Sequence, residues 1–96
     1  MGAKKHIHMS VELITNDGSS IEKAIAIDAN DTFTGIKMEH LLLSQLYPGY
    51  IFEMQGLIYS PDRSEQYDKM RIKTREGDTK DVYFNITSFF GKLPVM

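Results

Sequence analysis

The stretch from Lys69 to Arg75 reads KMRIKTR, with a base at every second position and an uncharged residue between each pair of bases. A helix would distribute these side chains around its circumference. A strand instead places all the charges on one face of a sheet and Met70 and Ile72 on the other. The stretch therefore predicts a β-strand with one solvent-exposed face and one buried face.

The same alternation recurs along most of the chain and is interrupted by turn residues. Asn16-Asp17-Gly18 is a strong hairpin signal, and an apolar arc at helical spacing ends at Pro48-Gly49. The predicted elements are strands over residues 6–15, from residue 19, and over 50–60, 67–75 and 81–90, with a helix over 36–47.

This order, ββαβββ, predicts an α+β domain. The economical arrangement packs the single helix on one face of a mainly antiparallel five-stranded sheet. The strand order stays open, because the helix can place the third strand beside the first or beyond the second. An opening hairpin followed by a crossing helix resembles the start of a β-grasp fold, in element order only.

Length and composition restrict the class of protein. The 96 residues suit one domain over 1–96, with loose tails at 1–5 and 91–96. A net charge of −2 gives no general attraction to nucleic acid or to an anionic membrane. The absence of cysteine excludes disulfides and thiol catalysis. We expect a cytoplasmic protein with no membrane segment and no cofactor.

One charged residue falls within the apolar arc of the predicted helix. Glu39 lies near the centre of this arc, close to Leu42. A carboxylate in an apolar pocket has a raised pKa and can bind a cationic ligand or act as a general base. Such a pocket between helix and sheet would be lined by Tyr47, Phe52 and Met54. Alternatively the helix starts later or rolls, and Glu39 reaches water or a lysine at the rim.

The bases of the opening stretch could form a nucleic-acid surface flanked by Tyr83 and Phe89. This basic stripe consists of Lys69, Arg71, Lys73 and Arg75. The surrounding window, residues 62–81, holds six bases and six acids, whereas a phosphate-binding surface usually leaves its bases unpaired. We therefore expect a solvated face with cross-strand ion pairs, and we do not expect nucleic acid as a partner.

Several large apolar residues belong to the outward set of the alternation. They are Ile51, Leu57, Tyr59, Tyr83 and Phe89. On neighbouring strands they could form a contiguous patch that serves self-association or a protein partner. The alternative is that one of the terminal tails folds over the patch.

His6 and His8 share one face of the first predicted strand and could ligate a metal together with Asp28. Two histidines near a chain terminus are more often simply exposed, so no metal site is predicted.

No catalytic motif and no known family is recognised in the residues. We expect a non-catalytic binding or interaction protein, homodimeric through the outward sheet face or a strand edge. Small proteins of this kind often travel as accessory cargo of mobile elements. The first alternative is a pocket for a lipophilic cation at Glu39, and the second is binding of RNA or single-stranded DNA on the basic stripe.

Overall fold

A computed structural model describes residues 16–94 as one helix packed on one face of a four-stranded mixed sheet. The elements are β1 (Ile25–Ala26), α1 (Thr32–Leu46), β2 (Ile51–Tyr59), β3 (Gln66–Lys73) and β4 (Thr79–Asn85). The predicted α+β class is confirmed. The predicted order of five strands is not reproduced, because the described residues give βαβββ. The predicted first strand, residues 6–15, lies outside them.

The sheet order is β1-β4-β3-β2, so the strands before and after the helix lie at opposite edges. β1 runs parallel to β4, with Ile25 opposite Phe84. β3 is antiparallel to both of its neighbours, with Met70 opposite Val82 on the β4 side. The connection through α1 therefore spans the whole sheet and leaves β2 as an edge strand.

The core lies between α1 and the face of the sheet that the helix covers, the helix face. Met70 and Ile72 of β3 are fully buried there, as are Phe84 of β4 and Leu43 of α1, and Val82 is 2% exposed. The alternation predicted for β3 and for the first half of the last strand is thus confirmed. Each such side chain stabilises the fold by about 1.5–3 kcal/mol through its burial.

The second predicted strand is shorter than its sequence pattern indicates. Residues 18–23 form a closed loop, in which the Gly18 N–H donates to the Lys23 carbonyl at 2.8 Å. Gly18 has a φ of +81°, which glycine adopts without strain. Ile21 is exposed, so the prediction of a strand from residue 19 is wrong and β1 begins only at Ile25.

The helix begins four residues earlier than predicted. Asp31 is its N-cap, and its side chain accepts a hydrogen bond from the Thr34 N–H at 2.8 Å. This bond satisfies one of the N–H groups that have no partner within the helix. The carbonyl of Lys92 accepts a further bond from the Thr32 N–H at 2.8 Å, which fastens the chain after β4 to the start of α1.

A β-bulge in β2 reverses the predicted faces of its second half. The pairing with β3 shifts by one residue between Phe52 and Met54. Because side chains alternate, one inserted residue moves every later side chain to the opposite face. The prediction that Met54 and Ile58 point inward is therefore wrong. Leu57 and Tyr59, predicted to point outward, lie on the helix face.

The chain leaves the sheet earlier than the predicted strand over 81–90. β4 ends at Asn85, and a helical turn follows, in which the Phe90 N–H donates to the Ile86 carbonyl at 2.9 Å. This turn rotates Phe89 into the core, where it is 2% exposed. A Cβ built on Gly35 of α1 would lie 2.5 Å from the Phe89 ring. The prediction that Phe89 points outward is therefore wrong.

Candidate functional site

Two carboxyl groups lie buried on the helix face of the sheet. Glu39 projects from the middle of α1 and is 0% exposed, and Asp68 of β3 is 2% exposed. Each is carried by a regular element whose apolar residues are buried on the same side, Leu43 one turn along the helix and Met70 two residues along the strand. We call Glu39 and Asp68 the acid pair.

Burial controls the protonation of Glu39. Loss of hydration disfavours the charged carboxylate and is the main reason that the pKa of Glu39 rises from 4.5 to about 9. The neighbouring Asp68 carboxyl raises this pKa further. Glu39 therefore carries a proton at neutral pH. Neither of its carboxyl oxygens has a hydrogen-bond partner among residues 16–94, and unsatisfied buried polar groups of this kind are rare in folded proteins.

The sequence identified one member of the acid pair and missed the other. The apolar arc of the helix left open whether Glu39 would be buried with a raised pKa or would reach water, and the structure buries it. Asp68 was assigned no role, although it stands two residues before Met70 in an alternating strand. The same two-residue period that placed Met70 and Ile72 inward could have found it.

A pocket of about 170 Å³ lies beside the acid pair. Asp68 forms part of its wall, and most of the remaining lining is apolar. The lining residues are Thr32, Ile36, Gln55, Leu57, Asp68, Ile86, Phe89 and Phe90. A small molecule in this pocket would therefore meet one carboxyl group in an otherwise largely apolar environment.

Phe52 and Met54, predicted to line a pocket with Glu39, lie on opposite faces of the sheet. The Phe52 ring meets the His40 ring edge to face, with 5.4 Å between their centroids. Met54 lies on the face away from the helix, the outer face, where its sulfur is 3.9 Å from an Arg71 guanidinium nitrogen. The structure therefore does not bring Met54 to Glu39.

Tyr47, the third predicted lining residue, caps the C-terminus of α1. Its backbone N–H donates to the Leu43 carbonyl at 2.8 Å. Its side chain borders a separate pocket of about 250 Å³ that also includes Pro48 and Arg75. Tyr47 is thus part of a different concavity from the one beside the acid pair.

Three members of the basic stripe, Lys69, Arg71 and Lys73, lie on the outer face as predicted, but their charges are not equivalent. The Arg71 guanidinium donates two hydrogen bonds to Asp81 across the strands, at 2.8 and 3.2 Å. This contact lowers the pKa of Asp81. Lys69 and Lys73 flank Arg71 on β3, whereas Arg75 lies beyond the strand end. Part of the stripe is therefore neutralised within the sheet.

The two predicted stacking partners of the stripe differ in position. Tyr83 lies opposite Lys69 on the outer face and is half-buried. Phe89 is in the core and offers no ring face to a base. Binding of nucleic acid stays the second alternative, and the stripe lacks one of the two aromatic rings that were expected to flank it.

Asp81→Asn is expected to lower the free energy of unfolding by less than about 1 kcal/mol, because a partly exposed ion pair is screened by water. The side chains of Arg71 and Asp81 are 38% and 28% exposed. Urea unfolding at low and high salt measures the effect, which should shrink as salt rises. A loss well above 1 kcal/mol that salt does not change would contradict a solvated cross-strand pair.

A second candidate surface runs along the helix and the edge strand. It is formed by large apolar side chains that are exposed to solvent, and we call it the α1–β2 surface. Its members are Phe33, Ile36 and Leu41 of α1, together with Phe52, Leu57 and Tyr59 on the helix face of β2 and Ile51 and Met54 on its outer face. Three of the five residues predicted for an interface, Ile51, Leu57 and Tyr59, belong to it. The outer edge of β2 pairs with no strand among the described residues.

Comparison of this chain with known protein families, with characterised proteins and with solved structures finds no significant match.

Within residues 16–94, the helix is too short and too polar to cross a bilayer. The same part of the chain contains no group of three or more His, Cys, Asp or Glu side chains that could hold a metal ion. His6 and His8 lie outside it, and Asp28 is exposed.

Proposed function

We propose that this protein is a non-catalytic interaction protein that self-associates through the edge strand β2. The observation that supports this proposal is the exposure of β2: seven of its nine residues are exposed and none is buried. Exposed apolar side chains and an unpaired strand edge both favour association with another chain.

The residues of β2 offer little protection against pairing at this edge. Natural edge strands commonly carry lysine, proline or several charges that discourage a second strand. β2 reads IFEMQGLIY over Ile51–Tyr59 and contains one charge, Glu53, and neither lysine nor proline. The strand is also long for an edge, so many backbone groups are available for intermolecular hydrogen bonds.

A second copy of the chain fits this edge in an antiparallel arrangement centred on Gly56. That register keeps the helix faces of both sheets on the same side and is self-complementary, as a two-fold dimer requires. Met54 of one copy would lie opposite Ile58 of the other on the outer face, and Gln55 opposite Leu57 on the helix face. No charged residue lies within 54–58, so no like charges meet in this register.

Met54→Lys is expected to weaken self-association at least about tenfold, because it places an ammonium group against apolar side chains of the second copy. Sedimentation equilibrium at tens of micromolar measures the change. The wild-type protein should form a dimer of two 11.0 kDa chains. The matched control is Leu93→Lys, which introduces the same charge at an exposed apolar position outside β2 and should leave the dimer intact.

Two results would contradict the proposal. A strictly monomeric wild-type protein at these concentrations would exclude self-association. An equal loss of dimer in Met54→Lys and Leu93→Lys would show that association depends on charge in general and not on β2.

A further inference from the structure

The pocket beside the acid pair is too small for a large ligand. Its volume of about 170 Å³ corresponds to the space of about five or six water molecules in the liquid. Drug-sized ligands occupy pockets several times larger. The occupant that fits is therefore a molecule with a few non-hydrogen atoms.

The lining restricts the chemistry of that occupant. Ile36 and Leu57 stand at the exposed side of the pocket, and Phe89 is buried at its inner side. These side chains suit an alkyl group and offer it no hydrogen bonds. Asp68 supplies the one carboxyl group in the wall, beside the neutral Thr32 and Gln55, so a cationic end of the occupant would face Asp68.

The helix places a second carboxyl group next to this wall. Thr32 and Ile36 line the pocket, and Glu39 follows them on the same face of α1 at helical spacing. The Asp68 carboxyl raises the pKa of Glu39, so the two carboxyl groups lie close together. Glu39 itself does not line the pocket.

We propose that this pocket binds a small alkylammonium ion, with its ammonium group at Asp68 and its alkyl chain against Ile36, Leu57 and Phe89. An ammonium group carries three hydrogen-bond donors, and the Asp68 carboxyl in the pocket wall is the group that can accept from it.

An organic cation fits this site better than a metal ion. Calcium takes six to eight oxygen ligands, whereas the pocket wall supplies one carboxyl group within a largely apolar lining. A bound metal ion would leave the apolar part of the pocket wall without a contact, whereas an alkyl chain would pack against it. The pocket lies on the helix face, and its two β2 residues, Gln55 and Leu57, also lie in the proposed dimer contact.

The test uses n-butylammonium chloride as the probe, at pH 7 and constant ionic strength. Binding is followed by the shifts of backbone amide signals in a heteronuclear NMR titration. Saturable shifts at Asp68, Leu57 and Ile36 are expected, with a dissociation constant on the order of 1 mM for so small a ligand. The neutral analogue 1-butanol has the same alkyl chain and should bind at least about tenfold more weakly.

Variants separate the pocket from general attraction of cations to acidic residues. Asp68→Asn removes the charge with little change of shape and should weaken binding at least about tenfold. Ile36→Trp fills the rim of the pocket, leaves both carboxyl groups in place and should also abolish the shifts. Glu76→Gln removes an exposed carboxylate outside the pocket and should bind as the wild type does.

The proposal is overturned if 1-butanol and n-butylammonium bind the wild-type protein equally. It is also overturned if Ile36→Trp, folded by its NMR spectrum, binds n-butylammonium as tightly as the wild type. The latter comparison decides the question even if Asp68→Asn fails to fold. An absence of saturable shifts in the wild type has the same consequence.

Discussion

Glu39→Gln is expected to raise the free energy of unfolding at pH 7 by about 3 kcal/mol. In the wild-type protein, burial raises the pKa of Glu39 from 4.5 to about 9. Folding at pH 7 therefore requires Glu39 to take up a proton that it lacks in the unfolded chain, which costs about 1.4 kcal/mol for each pH unit above 4.5. Glutamine has nearly the same shape and is neutral in both states, so the cost disappears.

The pH dependence of stability gives the sharper test of this prediction. Below pH 4.5 Glu39 is protonated in both states, and its favourable contribution is fully present. As the pH rises toward about 9, the unfolded chain has lost this proton while the folded chain retains it, so stability falls. Urea unfolding of the wild type between pH 5 and 8 should show this additional fall, about 1.4 kcal/mol per pH unit relative to Glu39→Gln.

The control for Glu39→Gln is Glu53→Gln. Glu53 is exposed on β2, so its replacement should leave the dependence of stability on pH unchanged. Parallel curves for the wild type and Glu39→Gln would show that Glu39 is not protonated in the folded protein.

The sequence predicted the centre of the sheet better than its edge. β3 has a strand on both sides, and β4 pairs with it without interruption. Buried and more exposed side chains therefore alternate as predicted from Met70 to Ile72 and from Val82 to Phe84. β2 lies at the edge and is exposed on both faces. A bulge there requires no rearrangement of a second neighbour, and no local residue pattern marks its position.

Phe89 shows why the end of the last strand could not be predicted by alternation. The turn after β4 is held by Ser88, whose hydroxyl donates to the Ile27 carbonyl at 2.7 Å and accepts from the Ala29 N–H at 3.2 Å. These partners lie far away along the chain, and so does Gly35, which makes room for the Phe89 ring. A local pattern contains none of this information.

The candidate site shows the same division between local and long-range information. Helical periodicity placed Glu39 at the buried face of α1, because the helix is regular over Thr32–Leu46. The contact of Glu39 with Asp68 depends on how the helix lies across the sheet, which the sequence left open. The assignment of Met54 to the same pocket failed through the one-residue bulge alone.

Phe89→Ala is expected to lower the free energy of unfolding by about 3–5 kcal/mol, because it leaves a cavity in a closely packed core. The ring is 2% exposed and lies directly over Gly35 of α1. Chemical denaturation measures the loss. The matched control is Phe33→Ala, at a position that is 62% exposed, and it should change stability by no more than about 0.5 kcal/mol. Equal losses in both variants would contradict the buried position of Phe89.

Gly35→Ala tests the contact itself, because its sign should depend on residue 89. In the wild type the new methyl group would lie 2.5 Å from the ring, and such overpacking destabilises by about 1–3 kcal/mol. This exceeds the gain of about 1 kcal/mol that alanine brings to a helix interior. In Phe89→Ala the ring is absent, so Gly35→Ala should become stabilising by about 1 kcal/mol or more, since the methyl group also fills part of the cavity. A double-mutant cycle measures this reversal. Additive effects in the cycle would mean that the turn after β4 does not pack on α1 at Gly35.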